Sequence, residues 1–283
     1  LEFRRVLFRS VRASMTLTNT LRSVESRNVL ARLDGSDARR RGEQVVFTAH
    51  WDHLGAGPSM DGDTIYHGAV DNAVGVGGLL EIARAFTKLP KPPARAVVFL
   101  ATTAEEQGQL GSTYYTRVPV YPLAGTAAAI NIDGLNVHGR TRDLTLIGYG
   151  ASDLDDYVSD AAGEQGRIVR PDPAPELGFF YRSDHVAFAR RGVPALDPGP
   201  GTEYLGKPKE FSDRVRREYN ERDYHRPTDI VRADWNLSGA REDLKVLFTV
   251  GDRVAEADRL PEWKPDSEFR AARDEMQIGR AHV

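Results

Sequence analysis

The sequence predicts a three-layer α/β/α domain built around a largely parallel central sheet, and three observations predict it. Short runs with the composition of buried strands alternate along the chain with segments of helical periodicity. The strand runs are apolar throughout instead of alternating, as expected where helices cover both faces of a sheet. The strand-helix order continues to the end of the chain without an internal repeat or low-complexity tract. That order argues for crossover units in one sheet, where ligands bind outside the carboxyl ends of the strands.

Gln44 to Ala49 is a β-branched and apolar run bounded by Gly42, and it ends in His50. From Asp71 to Leu89 the residues Val76, Leu79, Leu80, Ala83 and Phe86 recur at helical spacing, and Pro90, Pro92 and Pro93 stop the helix. Ala94 to Ala101 and Thr126 to Ile132 are again continuous apolar strands, with a helix predicted between them over Gly111 to Val118. The pattern then predicts a strand at Leu144 to Gly148 and helices at Leu154 to Glu164 and Asp184 to Arg190. A strand at Val193 to Leu196 and a closing helix from Ser238 to about Ala255 complete the series. Pro171 to Pro175 and Pro198 to Pro208, rich in Pro and Gly, read as loops.

Composition narrows the function. With Lys+Arg 38 against Asp+Glu 41 and a formal net charge of -3, no basic field exists to attract nucleic acid. The absence of cysteine excludes a disulfide framework and a cysteine-ligated metal. Charged residues interrupt every long apolar run, so no stretch reaches the roughly 20 residues needed to span a bilayer.

Leu1 to Ser10 has neither an amphipathic pattern nor a small-residue cleavage site, and it corresponds to the translation of a common sequencing-library adapter. Gln277 to Val283 corresponds to the start of the complementary adapter. Residues 1–10 and 277–283 are therefore expected to be read-through at the ends of an assembled metagenomic fragment. A single domain is expected over 11–276, with 11–41 the tail of a truncated preceding region. Missing targeting information then carries no meaning.

The charged residues fall where each apolar strand ends. The first strand runs into His50-Trp51-Asp52, the helix after it begins at Asp71-Asn72, the second strand leads to Glu105-Glu106, and the third ends at Asn131-Ile132-Asp133. A loop before Pro227 carries Tyr224-His225. In an α/β sheet these ends converge, and so many carboxylates and imidazoles would repel and desolvate one another unless a cation sat among them. Histidine and carboxylate ligands without cysteine suit zinc, manganese or cobalt at a catalytic site.

From about Val24 to Asp229 the sequence resembles the di-zinc exopeptidases, which include bacterial leucyl aminopeptidases, glutamate carboxypeptidase, glutaminyl cyclases and the transferrin-receptor ectodomain. The resemblance is carried by Thr48-Ala49-His50-Trp51-Asp52-His53-Leu54-Gly55, Gly68-Ala69-Val70-Asp71-Asn72, Ala104-Glu105-Glu106-Gln107-Gly108, Asn131-Ile132-Asp133 and Tyr224-His225. It implies the phosphorylase/hydrolase-like zinc-exopeptidase architecture and two zinc ions, with Mn2+ or Co2+ as substitutes. By position, His50 and Asp133 would bind one ion, Glu106 and His225 the other, and Asp71 would bridge both. Glu105 would be the general base, and Asp52 would hydrogen-bond the far nitrogen of His50 and fix its tautomer. Consecutive side chains of an extended or turning backbone point apart, so Glu106 can face a metal while Glu105 faces the water.

Taken singly, these residues have ordinary readings. Glu105-Glu106 alone is a solvated surface pair, and His53, His67, His138 and His185 have no supporting motif. Ser183-Asp184-His185 reads as a helix start, with Ser183 or Asp184 as the cap and a contribution to the substrate pocket, because catalytic triads assemble from separate elements. Gly75-Val76-Gly77-Gly78 lacks the third glycine of a dinucleotide loop, and no Gly-x-Ser-x-Gly elbow supports a serine hydrolase. Tyr204, Tyr219, Asn220, Phe179, Phe180, Tyr181 and Arg182 sit in segments expected to flank the metals, either as a pocket for an apolar side chain or as packing. The first reading is an aminopeptidase acting on a peptide or aminoacyl substrate. A carboxypeptidase, a one-metal glutaminyl cyclase or a receptor-like module are the alternatives. The resemblance also implies a periplasmic or secreted location.

Overall fold

A computed structural model describes residues 14–20 and 23–281. The strands are β1 (Val29–Leu33), β2 (Gln44–His50), β3 (Gly55–Met60), β4 (Asp63–Tyr66), β5 (Ala96–Thr102), β6 (Thr126–Asn131), β7 (Asp143–Ile147), β8 (Ile168–Pro171) and β9 (Ala195–Gly199). The helices are α1 (Val74–Phe86), α2 (Leu110–Arg117), α3 (Leu154–Gly163), α4 (His185–Ala189), α5 (Phe211–Arg222), α6 (Ser238–Glu256) and α7 (Arg270–Ala281). Seven strands form one sheet in the order β1-β5-β2-β6-β9-β7-β8. The pairs around β2, together with β6–β9 and β7–β8, are parallel, while β1–β5 and β7–β9 are antiparallel.

Strand β2 explains why the sheet is buried on both sides. Every residue of it is buried, and the period of two sends Val45, Phe47 and Ala49 into one core and Val46 into the other. The first core packs α1, α3 and α6 against the sheet through Ile82, Phe86, Val158 and Val250. The second packs α2, α4 and the C-terminal segment through Tyr115, Phe188, Trp263 and Phe269. Each large apolar side chain removed from water contributes about 1.5–3 kcal/mol. The result is the expected three-layer arrangement.

The chain passes from β2 through α1 to β5 on one side, then crosses to β6 on the other. The strand order therefore reverses at β2, which opens a crevice at the carboxyl ends of β2 and β6. Among the described residues no helix is long and apolar enough to cross a membrane.

Several predicted boundaries move. Helix α1 starts at Val74 and not at Asp71, because Asp71 (φ -115°, ψ 83°) and Asn72 (φ -141°, ψ 36°) lie in a separate non-helical turn. Strand β9 starts at Ala195 and continues through Pro198, which pairs with Leu146, so the predicted loop begins later. Asp184 makes no cap hydrogen bond to α4. Strands β1, β3, β4 and β8 and helices α5 and α7 have no counterpart among the predicted elements. The β3–β4 hairpin carries a local signal, Asp61-Gly62 at φ 51° and 90°, the pair that favours two-residue hairpin turns. The segment 1–10 lies outside the described residues, and the segment from Gln277 begins within α7.

Candidate metal centre

His50 ends β2 and is only 2% exposed. Its Nε2 lies 3.2 Å from Asp71 Oδ1 and 3.2 Å from Asp133 Oδ1. Burial opposes charge on this imidazole, yet the hydrogen bonds and charges of Asp133 and Asp71 overcome it and raise the pKa to about 12. Burial likewise works against ionisation of Asp133, but the bonds from His50 and Ser183 hold its carboxyl below the usual range. Ser183 Oγ donates to Asp133 Oδ2 at 2.5 Å and accepts from Asn131 Nδ2 at 2.7 Å.

Asp71 faces two imidazoles at once. Its Oδ1 points to His50, and its Oδ2 lies 3.3 Å from His225 Nε2. His225 Nε2 is also 3.1 Å from Glu106 Oε2, and Glu106 Oε1 is 2.7 Å from His53 Nδ1. Two groups therefore have donor atoms within 4.8 Å of one another, His50/Asp71/Asp133 and His53/Asp71/Glu106, and Asp71 is common to both. The donors are imidazole nitrogens and carboxylate oxygens, the set that suits a zinc-like ion at a catalytic site. His53 Nδ1, His53 Nε2 and Glu106 Oε1 are buried without a well-formed hydrogen bond. Orphaned polar atoms aimed into a carboxylate cluster fit a missing cation.

The turn carrying Asp71 is fixed from both ends. The peptide between Asp71 and Asn72 is cis. Asn72 Nδ2 donates to Ile132 O at 2.8 Å, and its Oδ1 accepts from Gly134 N at 2.8 Å, which ties the turn to the loop holding Asp133. Gly75 is required there, since a Cβ on it would stand 2.0 Å from Asn72 Oδ1. On the other side the Asp229 carboxylate accepts from Val70 N at 3.0 Å and Asp71 N at 3.1 Å, which ties the turn to the His225 loop. Gly75 and Gly78 of the glycine-rich run thus serve close packing, the second against Leu244.

A model of peptidase family M28 matches residues 28–249. The chain belongs to peptidase family M28. It is 26% identical over 225 residues to leucine aminopeptidase 2 of Trichophyton rubrum, covering 72% of this chain and 40% of that protein. It is similar in fold to BSAP, a zinc aminopeptidase from Bacillus subtilis, with a TM-score of 0.58 at 21% identity over 86% of this chain and 52% of that one. A peptidase M28 precursor from Shewanella amazonensis gives a TM-score of 0.56 at 23% identity over 84% of this chain and 46% of that one. The chain thus spans about half the length of such relatives, or less.

Within this M28 site Glu105 belongs to neither donor group and lines the cleft beside them. Burial, and next the charge of Asp133, push its carboxyl up to about 8. Asp52 plays a different part from the one expected. The near contact of His50 Nδ1 is the main-chain carbonyl of Asp52 at 3.1 Å, while the Asp52 carboxylate stands 3.8 Å away. That carboxylate instead accepts from Glu105 N at 3.1 Å and Glu106 N at 3.4 Å, so it organises the loop of the two glutamates.

A cleft of about 650 Å³ opens over Asp71, Glu105, Glu106, Asp133 and His225. Tyr204 and Tyr219 line it, the first with its hydroxyl 3.3 Å from Asn136 Oδ1 and the second 3.4 Å from Asp229 Oδ2. Two expected pocket residues lie elsewhere. Asp184 is fully buried beneath the site, accepting from Thr102 and Ser112, and burial pushes it up to about 6. Tyr181 is turned outward and bonds Glu268. Phe180 packs between His185 and Phe269, whereas Phe179, Arg182 and Asn220 do line the cleft. His53, Asn72, Ser183 and Asp229 have no positioning part in the expected site. His53 and Asn72 stood inside the quoted motifs and Asp229 at the end of the resembling range, but the bonds of Asn72 and Asp229 run to main-chain atoms far off in sequence.

Proposed function

We propose that this chain is the catalytic domain, over residues 11–276, of a zinc aminopeptidase that removes the N-terminal residue of a peptide or aminoacyl substrate. The observation that carries the reading is the Asp71 carboxylate, with one oxygen toward His50 and the other toward His225 at 3.2 and 3.3 Å. His50 and Asp133 would hold one ion, Glu106 and His225 the second, and Asp71 both. Zinc held there would supply a Lewis acid for the scissile carbonyl and would make a water nucleophilic near neutral pH. Glu105 would take a proton from the attacking water as the water oxygen bonds the carbonyl carbon. It returns the proton to the amine as the C–N bond breaks. A carboxylate near the ions but not bound to them suits this task, and Glu105 stands outside both donor groups.

A carboxypeptidase draws on one observation: Arg182 lines the cleft and, among the described residues, makes no ion pair. The complete ligand set speaks against a one-metal cyclase and a receptor-like module. Elemental analysis of chelator-free wild type and His225→Ala tests the site, with two zinc ions expected in the first and about one in the second. Aminoacyl anilides with a free amine should be hydrolysed and N-acetylated peptides should not. The reverse preference would establish the carboxypeptidase, one ion in wild type the cyclase, and none the receptor-like module.

A further inference from the structure

The end of β2 and the loop after it supply three side chains to the site, His50, Asp52 and His53, and only the last lacks a part in the reading above. His50 points into the first donor group, and Asp52 holds the main chain of Glu105 and Glu106. His53 Nδ1 stands 2.7 Å from Glu106 Oε1, with both side chains nearly inaccessible at 8% and 5% exposure. Glu106 Oε2 faces His225 Nε2 on the opposite side. A carboxylate that ligates through one oxygen can rotate unless the other is held, and Glu106 Oε1, which has no aligned hydrogen bond, has the His53 Nδ1 within 2.7 Å as the group placed to hold it.

We propose that His53 is a positioning residue for the second metal, donating from Nδ1 to Glu106 Oε1 so that Oε2 is presented beside His225 and Asp71. Partners of this kind, one bond removed from the ion, orient ligating carboxylates and histidines. The ring is itself held. A Cβ on Gly68 would approach within 2.6 Å of the His53 Cγ, so only glycine leaves room for the imidazole at this place. The other side of His53 meets the His225 ring edge-on, with centroids 5.7 Å apart. One short loop thereby fixes Glu106 twice, through its amide by Asp52 and through its carboxylate by His53.

The inference rests on Glu106 being a ligand, and the test separates the two. Zinc affinity is measured by competition with a chromophoric chelator on the wild type, His53→Ala and His53→Asn, and the visible absorption of the Co2+ forms is recorded. Asparagine places a donor nitrogen where Nδ1 stood. The expected result is a 10–100-fold weaker second site in His53→Ala, an unchanged first site, and recovery in His53→Asn with a wild-type cobalt spectrum. Should the alanine variant fail to fold, His53→Leu fills the space without a donor and carries the same expectation. Two ions bound with unchanged affinity in the alanine or leucine variant overturn this inference alone. So does an asparagine variant as weak as alanine with an altered cobalt spectrum, which would make His53 a ligand. Fewer than two ions in the wild type overturn both readings.

Discussion

Replacing Asp229 by alanine is expected to cost about 2–3 kcal/mol of stability and to loosen Asp71, the carboxylate common to both donor groups. The carboxylate is 2% exposed and accepts two main-chain N–H bonds, from Val70 and Asp71, with the Tyr219 hydroxyl at 3.4 Å adding little. Bonds to a charged group contribute about 1.5–3 kcal/mol each and neutral ones nearer 1. Burial, opposed by these same bonds, raises the Asp229 pKa and the charge of Asp71 adds to it, so the lower value applies to each bond. The variant also leaves two N–H groups without an acceptor in a turn that no helix supports. Asp229→Asn keeps one oxygen and presents an NH2 to the other N–H, so about half the loss is expected. Urea denaturation of the chelator-treated protein measures the stability, and elemental analysis measures retained zinc. An alanine variant within about 0.5 kcal/mol of wild type, still holding two ions, would refute the clamp.

Glu105→Gln should keep both ions while kcat falls roughly 10²–10⁴-fold, and Glu106→Gln should lose one ion; equal metal loss in both would contradict the assigned roles. Chelation should lower the melting temperature, since zinc at 1,000 times its Kd stabilises a native state by about 4 kcal/mol; scanning calorimetry with and without chelator decides, and an unchanged temperature would argue against a folded ion site. Asp197 gives a pH signature. Burial, and then the charge of Asp133, raise it to about 8, above an unfolded value near 3.9. Its protonated form therefore stabilises the fold fully below that unfolded value, and the contribution is lost as pH rises toward 8, at up to about 1.4 kcal/mol per unit. The stability of wild type relative to Asp197→Asn should fall between pH 5 and 8, and parallel curves would refute it.

What was legible in the sequence follows from which forces act locally. Apolar runs such as Gln44–His50 report burial directly, because a strand covered on both faces has no solvent side to encode. Their abrupt endings at His50, Glu105-Glu106 and Asp133 marked the crevice for the same reason. Helix α5 was hard to read, since Phe211–Arg222 buries none of its residues and only Phe211, Val215 and Tyr219 interrupt a run of charged and polar side chains. It nonetheless sets Tyr219, Asn220 and Arg216 against the cleft. The start of α1 was also misread, because the periodicity of the helix does not register the turn before it.

The residues that hold this cluster in place were the least visible, and the reason is physical. Asp229 acts on amides 158 and 159 positions away, and Asn72 acts on main-chain atoms some 60 positions away. Main-chain donors and acceptors are the same at every residue, so no side-chain pattern at Val70 or Ile132 announces the partner. The carboxylates and imidazoles that would meet an ion are restricted to a few residue types and recur at strand ends. Those that hold the backbone can be any polar side chain that reaches. Asp52 shows the difference within one residue: its place two positions after His50 suggested a bond to the imidazole, and the fold gives that bond to its carbonyl, leaving the carboxylate for the amides of Glu105 and Glu106. A cluster of carboxylates and imidazoles is thus readable from residue types in order, while its rigidity depends on hydrogen bonds that exist only once the sheet has brought distant loops together.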